Sequence, residues 1–191
     1  MSAERPSACR LLGHQVIVRL PETRDAAAIA SYYATNGRHL GEFSPAPGHF
    51  ADTAFWLLRI PTYRQEFLDD RACKTFLYEP DDATVIGAAN LSEFVRGPFQ
   101  AAYLGYSLSG THQGRGIMHE ALGLLIGFAF AELHLHRIMA NYMPRNARSA
   151  AVLQRLGFVR DGLAAHYLYV NGIWEDHVLT SLCNPAWQPQ D

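Results

Sequence analysis

The sequence predicts one α/β domain, built from a mixed central sheet of about seven strands and about four flanking helices. Runs of β-branched and aromatic residues alternate with runs of helical periodicity, in the order β-α-α-β-β-β-α-β-α-β-β. A glycine-broken turn joins a strand to a long apolar helix in the middle of the chain. The pair Asn171-Gly172 lies between two strand-like runs and is a strong hairpin signal.

Length and composition favour one compact, soluble domain. The chain has 191 residues, of which 49% are hydrophobic and 18% are charged, as in folded single domains. Sixteen basic and eighteen acidic side chains give a net charge of -2, which argues against a broad nucleic-acid surface. Three scattered cysteines predict a reducing, cytoplasmic setting. We find neither a signal-peptide run nor a membrane-length apolar run, so we expect no membrane partner.

The predicted elements define the domain boundaries. Residues 1–14 are expected to be a flexible lead-in, residues 15–184 the folded domain and residues 185–191 a tail. Asn36-Gly37 is expected to end the first helix, and Pro61 to break or kink the second helix near Ile60. The predicted strands are 16–20, 74–79, 85–91, 101–108, 137–142, 167–170 and 174–182, and the later helices are 117–133 and 148–156.

The turn LSGTHQGRGIM, residues 108–118, has the pattern of a phosphate-binding site. The first amides of a helix have no intrahelical acceptor, and the helix dipole favours an anion there. Gly114 and Gly116 let the backbone approach the anion, and Arg115 can bind phosphate oxygens. A Walker loop lacks support because no G-K-[ST] occurs, and a dinucleotide fingerprint would need glycine in place of His119. An ordinary glycine loop is the alternative.

Two segments resemble the GCN5-related N-acetyltransferase family. Gln113-Gly114-Arg115-Gly116 resembles its Q/R-x-x-G-x-G/A signature, which binds the pyrophosphate of acetyl-CoA, although Met118 stands where the signature has Gly or Ala. The segment NARSAAVLQRLGF, residues 146–158, resembles the helix after the family's fifth strand. The resemblance implies a single-domain fold in which strands four and five splay apart. Residues 85–187 are most similar to members that acetylate the N-terminal alanine of a small-subunit ribosomal protein.

The resemblance also implies which residues bind acetyl-CoA. A main-chain N–H of the fourth strand would polarise the acetyl oxygen, and pantetheine would lie along the same strand edge. The pyrophosphate would lie on the glycine turn, and the helix after strand five would contact pantetheine. The implied binding residues are Tyr106, Ser107, Leu108, Gln113, Gly114, Arg115, Gly116, Ile117, Met118, Asn146 and Ser149.

The catalytic candidates are Ser149, Asn146 and Glu93. Ser149 would protonate the departing thiolate, because Leu153 occupies the place of the tyrosine that many relatives use. A bound water, or unaided departure of a thiol with a pKa of about 8.5, is the alternative. Asn146 would bind pantetheine or the acceptor amine, or would only cap its helix. Glu93 is one candidate base, and its alternative interpretation is a solvated loop carboxylate.

Other bases and other site types stay open on the sequence. His39, Glu42 and Tyr106 are further candidate bases, and a water chain would serve because an α-amine has a pKa of about 8. The histidines do not have the spacing of metal ligands, so we expect no metal. A group of aromatic residues would line an acceptor pocket or pack in the core: Tyr32, Tyr33, Phe43 and Phe55.

Together these features predict direct acetyl transfer from acetyl-CoA, without a covalent enzyme intermediate. The expected acceptor is the N-terminal α-amine of a protein, an alanine of a small-subunit ribosomal protein, free or in the small ribosomal subunit. The alternatives are a small-molecule amine or antibiotic as acceptor, and a ribosome-assembly or regulatory binding protein with weak catalysis. The sequence is compatible with a monomer or a homodimer.

Overall fold

A computed structural model describes residues 6–44 and 47–189 of the chain. The strands are β1 Arg10–Leu12, β2 Ile17–Arg19, β3 Cys73–Tyr78, β4 Val85–Val95, β5 Ala101–Leu108, β6 Arg137–Tyr142, β7 Val159–Val170 and β8 Ile173–Cys183. The helices are α1 Ala26–Leu40, α2 Thr53–Leu68, α3 Ile117–Ala131 and α4 Ala147–Arg155. The strands form one mixed sheet in the order β1-β2-β3-β4-β5-β6-β8-β7. The predicted fold class is confirmed, with eight strands instead of seven.

The additional strand lies in the segment that we predicted to be a flexible lead-in. Arg10–Leu12 pairs antiparallel with β2, where Leu11 is opposite Val18. A strand of three residues is too short to show alternation in the sequence, so the pairing was not predicted. Residues 1–5 of the predicted lead-in, and 190–191 of the predicted tail, lie outside the described residues.

The predicted end of the first helix and the predicted break in the second helix are wrong, whereas a kink at Pro61 stays a prediction. Helix α1 continues past Asn36-Gly37 to Leu40, and the Asn36 side-chain amide donates to the Tyr32 carbonyl at 2.9 Å within the helix. Helix α2 runs without a break through Pro61. Proline removes the hydrogen bond to the carbonyl four residues earlier, that of Leu57, and both residues are exposed, so water can replace the lost donor.

The C-terminal hairpin is confirmed but is much longer than predicted. Asn171 and Gly172 have φ of 52° and 88°, as a two-residue turn of this kind requires. Strand β7 has 12 residues instead of the predicted four. Its register shifts between Arg160 and Gly162 and again between Ala164 and Leu168. These irregularities interrupt the alternation that would reveal a strand in the sequence.

Helices cover both faces of the sheet. Alternate residues of β3 enter two different cores: Phe76 packs with α1 and α2, whereas Leu77 packs with α3. We call these two sides of the sheet the α1/α2 face and the α3/α4 face. Across the described ranges, no helix combines the length and apolarity needed to cross a membrane.

Candidate active site

The site is built around a wedge between β5 and β6. These parallel strands pair only at their beginnings, and the last pair is Tyr103 opposite Met139. Strand β5 nevertheless continues to Leu108 and β6 to Tyr142. On its other side, β5 stays paired with β4 as far as Leu108. The two strands therefore separate after their first three pairs. They are the fourth and fifth strands of the predicted set, so the predicted splay is confirmed.

The ladder with β4 fixes which amides of β5 face the wedge. The Ser109 N–H donates to the Ile86 carbonyl of the β4 strand at 2.8 Å. Backbone groups of successive residues point to opposite sides of a strand, so Ser107 also faces β4. The N–H groups of Tyr106 and Leu108 therefore point into the wedge. Of the three residues predicted to polarise the acetyl group, these two have the required direction.

The glycine turn lies at the open end of the wedge, before α3. Gly114 and Gly116 have left-handed backbones, with φ of 76° and 81°. A Cβ on either residue would meet nothing within 4 Å, so conformation and not space requires glycine there. Gly116 is the N-cap of α3 and has no side chain to cap the helix amides. These amides and the exposed Arg115 together suit a phosphate.

The first two residues of α3 anchor this turn in the core. The side chains of Ile117 and Met118 are 5% and 7% exposed and belong to the main hydrophobic core. Met118 was the predicted departure from the family signature. Because its side chain packs inward, only its amide is available at the turn. The departure therefore does not obstruct a phosphate.

Gln113 connects the turn to two helices. Its amide group contacts His39 Nε2 of α1 at 2.7 Å, and its Oε1 accepts from Arg148 of α4 at 2.6 Å. Helix α1 makes two more hydrogen bonds with the end of β5 and the glycine turn. The Asn36 side chain accepts from the Gly110 N–H at 3.2 Å, and the Tyr32 hydroxyl donates to Ser107 at 2.9 Å.

Tyr106 and Ser149 meet across the wedge. The Tyr106 hydroxyl and the Ser149 Oγ are 2.6 Å apart, which joins β5 to the first turn of α4. Burial raises the pKa of the Tyr106 phenol to about 12, and the hydrogen bond with Ser149 offsets part of that rise. The structure therefore brings together two of the predicted site residues by their side chains.

Asn146 is the N-cap of α4. Its side-chain oxygen accepts from the Ser149 N–H at 3.1 Å, so the helix-capping interpretation is confirmed. Because the cap uses the Asn146 side-chain oxygen, the NH₂ group of the same side chain is the part that suits a ligand carbonyl. A contact between Asn146 and pantetheine or the acceptor amine stays a prediction.

Glu93 interacts electrostatically with Lys74 and Tyr167, on the α1/α2 face. It is exposed, has φ of 54°, and sits in the irregular stretch of β4 between Ser92 and Val95. Val95 pairs with Ala101 at the beginning of β5, whereas the wedge opens toward the end of that strand. Glu93 stays a predicted base only. His39, another candidate base, is hydrogen-bonded to Gln113.

The α1/α2 face offers an approach to the wedge from the other side of the sheet. Lys74, Asn90 and Gly105 are successive cross-strand partners on β3, β4 and β5. Gly105 is exposed, and a Cβ there would meet nothing within 4 Å. Above this face, the Asn171 side chain of the hairpin turn donates to the Gly41 carbonyl at the end of α1.

Sequence reasoning missed the polar residues of this face. Asn141 donates to the Tyr167 hydroxyl at 3.1 Å, and on the same face burial lowers the pKa of Lys74. Of the aromatic candidates, Tyr33 stacks on Trp56 with ring centroids 5.4 Å apart, so it packs in the second core. No metal-binding group of three His, Cys, Asp or Glu side chains occurs within residues 6–44 and 47–189.

A splayed strand pair, inward-facing amides and a glycine turn that suits a phosphate are the features of an acyltransferase that uses a coenzyme A thioester. Residues 15–159 match the Acetyltransferase (GNAT) domain. The chain belongs to the GNAT family and is an N-acetyltransferase.

Three similar proteins indicate which members of the family this chain resembles. The chain is 43% identical to the [ribosomal protein uS5]-alanine N-acetyltransferase of Escherichia coli strain K12, over 94% of this chain and 93% of that protein. A crystal structure of a ribosomal-protein-S5-alanine acetyltransferase from Vibrio fischeri superposes with a TM-score of 0.90 at 39% identity, covering 95% of this chain and 100% of that one. The structure of RimJ from Mycobacterium smegmatis in complex with CoA-disulfide superposes with a TM-score of 0.85 at 26% identity. The match covers 98% of this chain and 93% of that one.

Proposed function

We propose that this enzyme transfers the acetyl group of acetyl-CoA to the N-terminal alanine of a small-subunit ribosomal protein, of the uS5 type. The observation that carries the proposal is the 43% identity to the E. coli uS5-alanine enzyme over almost the whole of both chains. The match covers 94% of this chain, so it includes most of the first 70 residues, which by the resemblance would build the acceptor side. A ribosomal acceptor would also place the enzyme in the cytoplasm.

The residues of the wedge and turn suit the acetyl donor. The pyrophosphate would bind the first amides of α3 and the Arg115 guanidinium. Pantetheine would run along the free edge of β5, as an added strand does. The acetyl oxygen would accept a hydrogen bond from the N–H of Tyr106 or Leu108, which would stabilise the charge that develops when the carbonyl is attacked.

The transfer itself needs no covalent enzyme intermediate. A neutral α-amine attacks the thioester carbonyl, a C–N bond forms and the C–S bond breaks. An α-amine has a pKa of about 7.7–8.0, so a useful fraction is neutral near pH 7, and water can accept the proton that the nitrogen loses. The Ser149 hydroxyl would donate to the departing sulfur. Asn146 would orient the pantetheine with its amide NH₂ group.

Intact-mass spectrometry tests the acceptor. The enzyme is incubated with acetyl-CoA and peptides that begin with Ala, Ser or Met, and each peptide carries an internal lysine. The matched control is the same Ala peptide with its N-terminus already acetylated. We expect one added acetyl group on the free Ala peptide and none on the blocked peptide.

Other outcomes discriminate between the remaining functions. Transfer to a panel of small amines, without transfer to any peptide, would replace the proposal by a small-molecule acetyltransferase. Acetyl-CoA binding without transfer to any acceptor, including purified small subunits that lack the modification, would favour a binding protein. Acetylation of the blocked peptide would show that lysine is the acceptor.

A further inference from the structure

The Tyr106 hydroxyl lies 2.6 Å from the Ser149 hydroxyl and 3.4 Å from the Ser149 carbonyl. The 2.6 Å distance between the two hydroxyls allows either to donate. Tyr106 is half-buried on β5, where burial raises its pKa to about 12, so it keeps its proton at neutral pH. A phenol is a stronger donor than an aliphatic hydroxyl, since its ordinary pKa is only about 10. The favoured arrangement therefore has Tyr106 donating and Ser149 accepting.

We infer that Tyr106 is a positioning residue for Ser149, which it holds so that the Ser149 proton points to the sulfur of coenzyme A. The inference rests on the proposed function. Ser149 Oγ, once it accepts from Tyr106, has its own O–H left for a second partner. The resulting chain runs from the Tyr106 hydroxyl through the Ser149 hydroxyl to the thiolate. Hydrogen bonds in such a chain polarise and strengthen one another.

The chain stabilises the thiolate without giving up its protons. When the C–S bond breaks, its electron pair stays on sulfur. The thiol of coenzyme A has a pKa of about 8.5, far below those of the two hydroxyls, so both keep their hydrogens and donate hydrogen bonds only. The nitrogen loses its proton to water, and the thiolate takes one from water after release. This arrangement compensates for Leu153, which cannot donate.

The test measures the pKa of the bound coenzyme A thiol, because a purely structural role for Tyr106 would leave it unchanged. Thiolate ultraviolet absorbance is followed against pH for the saturated complexes of wild type, Tyr106→Phe and Ser149→Ala. We expect a thiol pKa below about 8.5 in the wild-type complex and a return toward that value in both variants. The double variant should show no further change, because the two residues act as one chain.

Tyr33→Phe is the matched control. Tyr33 lies on α1, is half-buried and packs in the other core, on the α1/α2 face. Its replacement should leave the thiol pKa as in wild type. In steady-state assays Tyr106→Phe should lower kcat about tenfold, with the KM for acetyl-CoA within about twofold, since one charge-stabilising donor of this kind contributes at about that level.

The failures of the two proposals are distinguishable. Wild type that binds coenzyme A with an unshifted thiol pKa, or a Tyr106→Phe complex with the wild-type value, would overturn the role of Tyr106 alone. Wild type that neither binds coenzyme A nor transfers an acetyl group would overturn the proposed function. If Tyr106→Phe does not fold, Ser149→Ala still tests the chain, because a Ser149→Ala complex with the wild-type thiol pKa would overturn it.

Discussion

The Tyr32 hydroxyl of α1 donates a hydrogen bond to the Ser107 hydroxyl of β5 at 2.9 Å. It is the first of three contacts along one stripe of the helix. Tyr32, Asn36 and His39 lie on one side of α1, at helical spacing. They reach Ser107, Gly110 and Gln113 in the same order, three residues apart each time. Helix α1 therefore holds the end of β5 and the beginning of the glycine turn in a fixed register.

Tyr32→Phe removes the first of these contacts without changing the ring. We expect the free energy of unfolding to fall by about 1 kcal/mol, the usual contribution of one hydrogen bond. The KM for acetyl-CoA should rise a few-fold, because Ser107 adjoins the amides that face the wedge. Urea unfolding and steady-state kinetics measure both effects. Tyr33→Phe, which keeps the stacking on Trp56, is the control, and an equal rise in KM for it would contradict the assignment.

Gly116→Val should weaken acetyl-CoA binding more than tenfold by calorimetry. A β-branched residue in the left-handed region costs about 1–2 kcal/mol, and it would move the first amides of α3. Gly116→Asn should have a smaller effect, since Asn tolerates this region better.

Gly123 provides the control for the glycine turn. It lies inside α3, where an added Cβ would also meet nothing within 4 Å. Gly123→Ala should leave the affinity for acetyl-CoA unchanged and raise the free energy of unfolding by about 0.5–1 kcal/mol, because glycine is the poorer helix former. Equal affinities for wild type and Gly116→Val would mean that the turn does not bind the donor.

A buried ion pair near the start of the chain makes stability depend on pH. Asp25 accepts from Arg19 at 2.6 and 2.9 Å and from the Tyr78 hydroxyl at 2.9 Å, and the Asp25 and Arg19 side chains are 5% and 2% exposed. Burial alone would raise the pKa of Asp25, but the bonds from Arg19 and the Glu22 N–H outweigh it and lower the pKa. The stabilisation is thus present above the unfolded pKa of about 3.9 and is lost as pH falls through the folded pKa.

Asp25→Asn should therefore lower the free energy of unfolding at pH 7, but by less than the roughly 3–5 kcal/mol of an uncompensated buried charge, since Arg19 keeps a second carboxylate, Asp82, at 2.7 Å. Urea unfolding at pH 7 and at several values below pH 4 gives the comparison. The difference from wild type should shrink in the acidic series. Asp161→Asn, in the exposed pair with Arg137, should cost less than about 1 kcal/mol. A pH-independent difference would show that Asp25 does not titrate with folding.

Glu93→Gln decides whether that carboxylate is the base. Loss of a general base costs about 10²-fold or more in kcat/KM. Because Glu93 is exposed and lies near the beginning of β5, we expect a loss of less than tenfold and a rate that still rises with pH up to about 8, the pKa of the acceptor amine. A hundredfold loss, restored in part by added small bases, would make Glu93 the base after all.

Features that depend on local backbone chemistry could be predicted from the sequence. The glycine turn and the Asn171-Gly172 hairpin both require positive φ, and the residues that supply it lie close together in the chain. The order of strands and helices could be predicted from periodicity in the same way. Pro61 shows the limit of this reasoning, because its effect depends on whether the affected carbonyl faces water.

Contacts between distant parts of the chain could not be predicted. Tyr106 and Ser149 are 43 residues apart, and Tyr32 and Ser107 are 75 apart. No local sequence pattern indicates such a pairing, because it depends on how α1 and α4 pack on the sheet. The direction of the β5 amides also came only from the strand register, which separated Tyr106 and Leu108 from Ser107.

Ile117 and Met118 make the donor site rigid, because their side chains pack in the core and their backbone amides are the first two of α3. The entropy of ordering this segment is lost when the domain folds, so little remains to be lost when the donor binds. Substitutions at these two positions should consequently destabilise the fold before they change the affinity for the donor. Affinity should therefore rarely change by mutation there. Natural variation in affinity should instead arise at exposed positions such as Arg115.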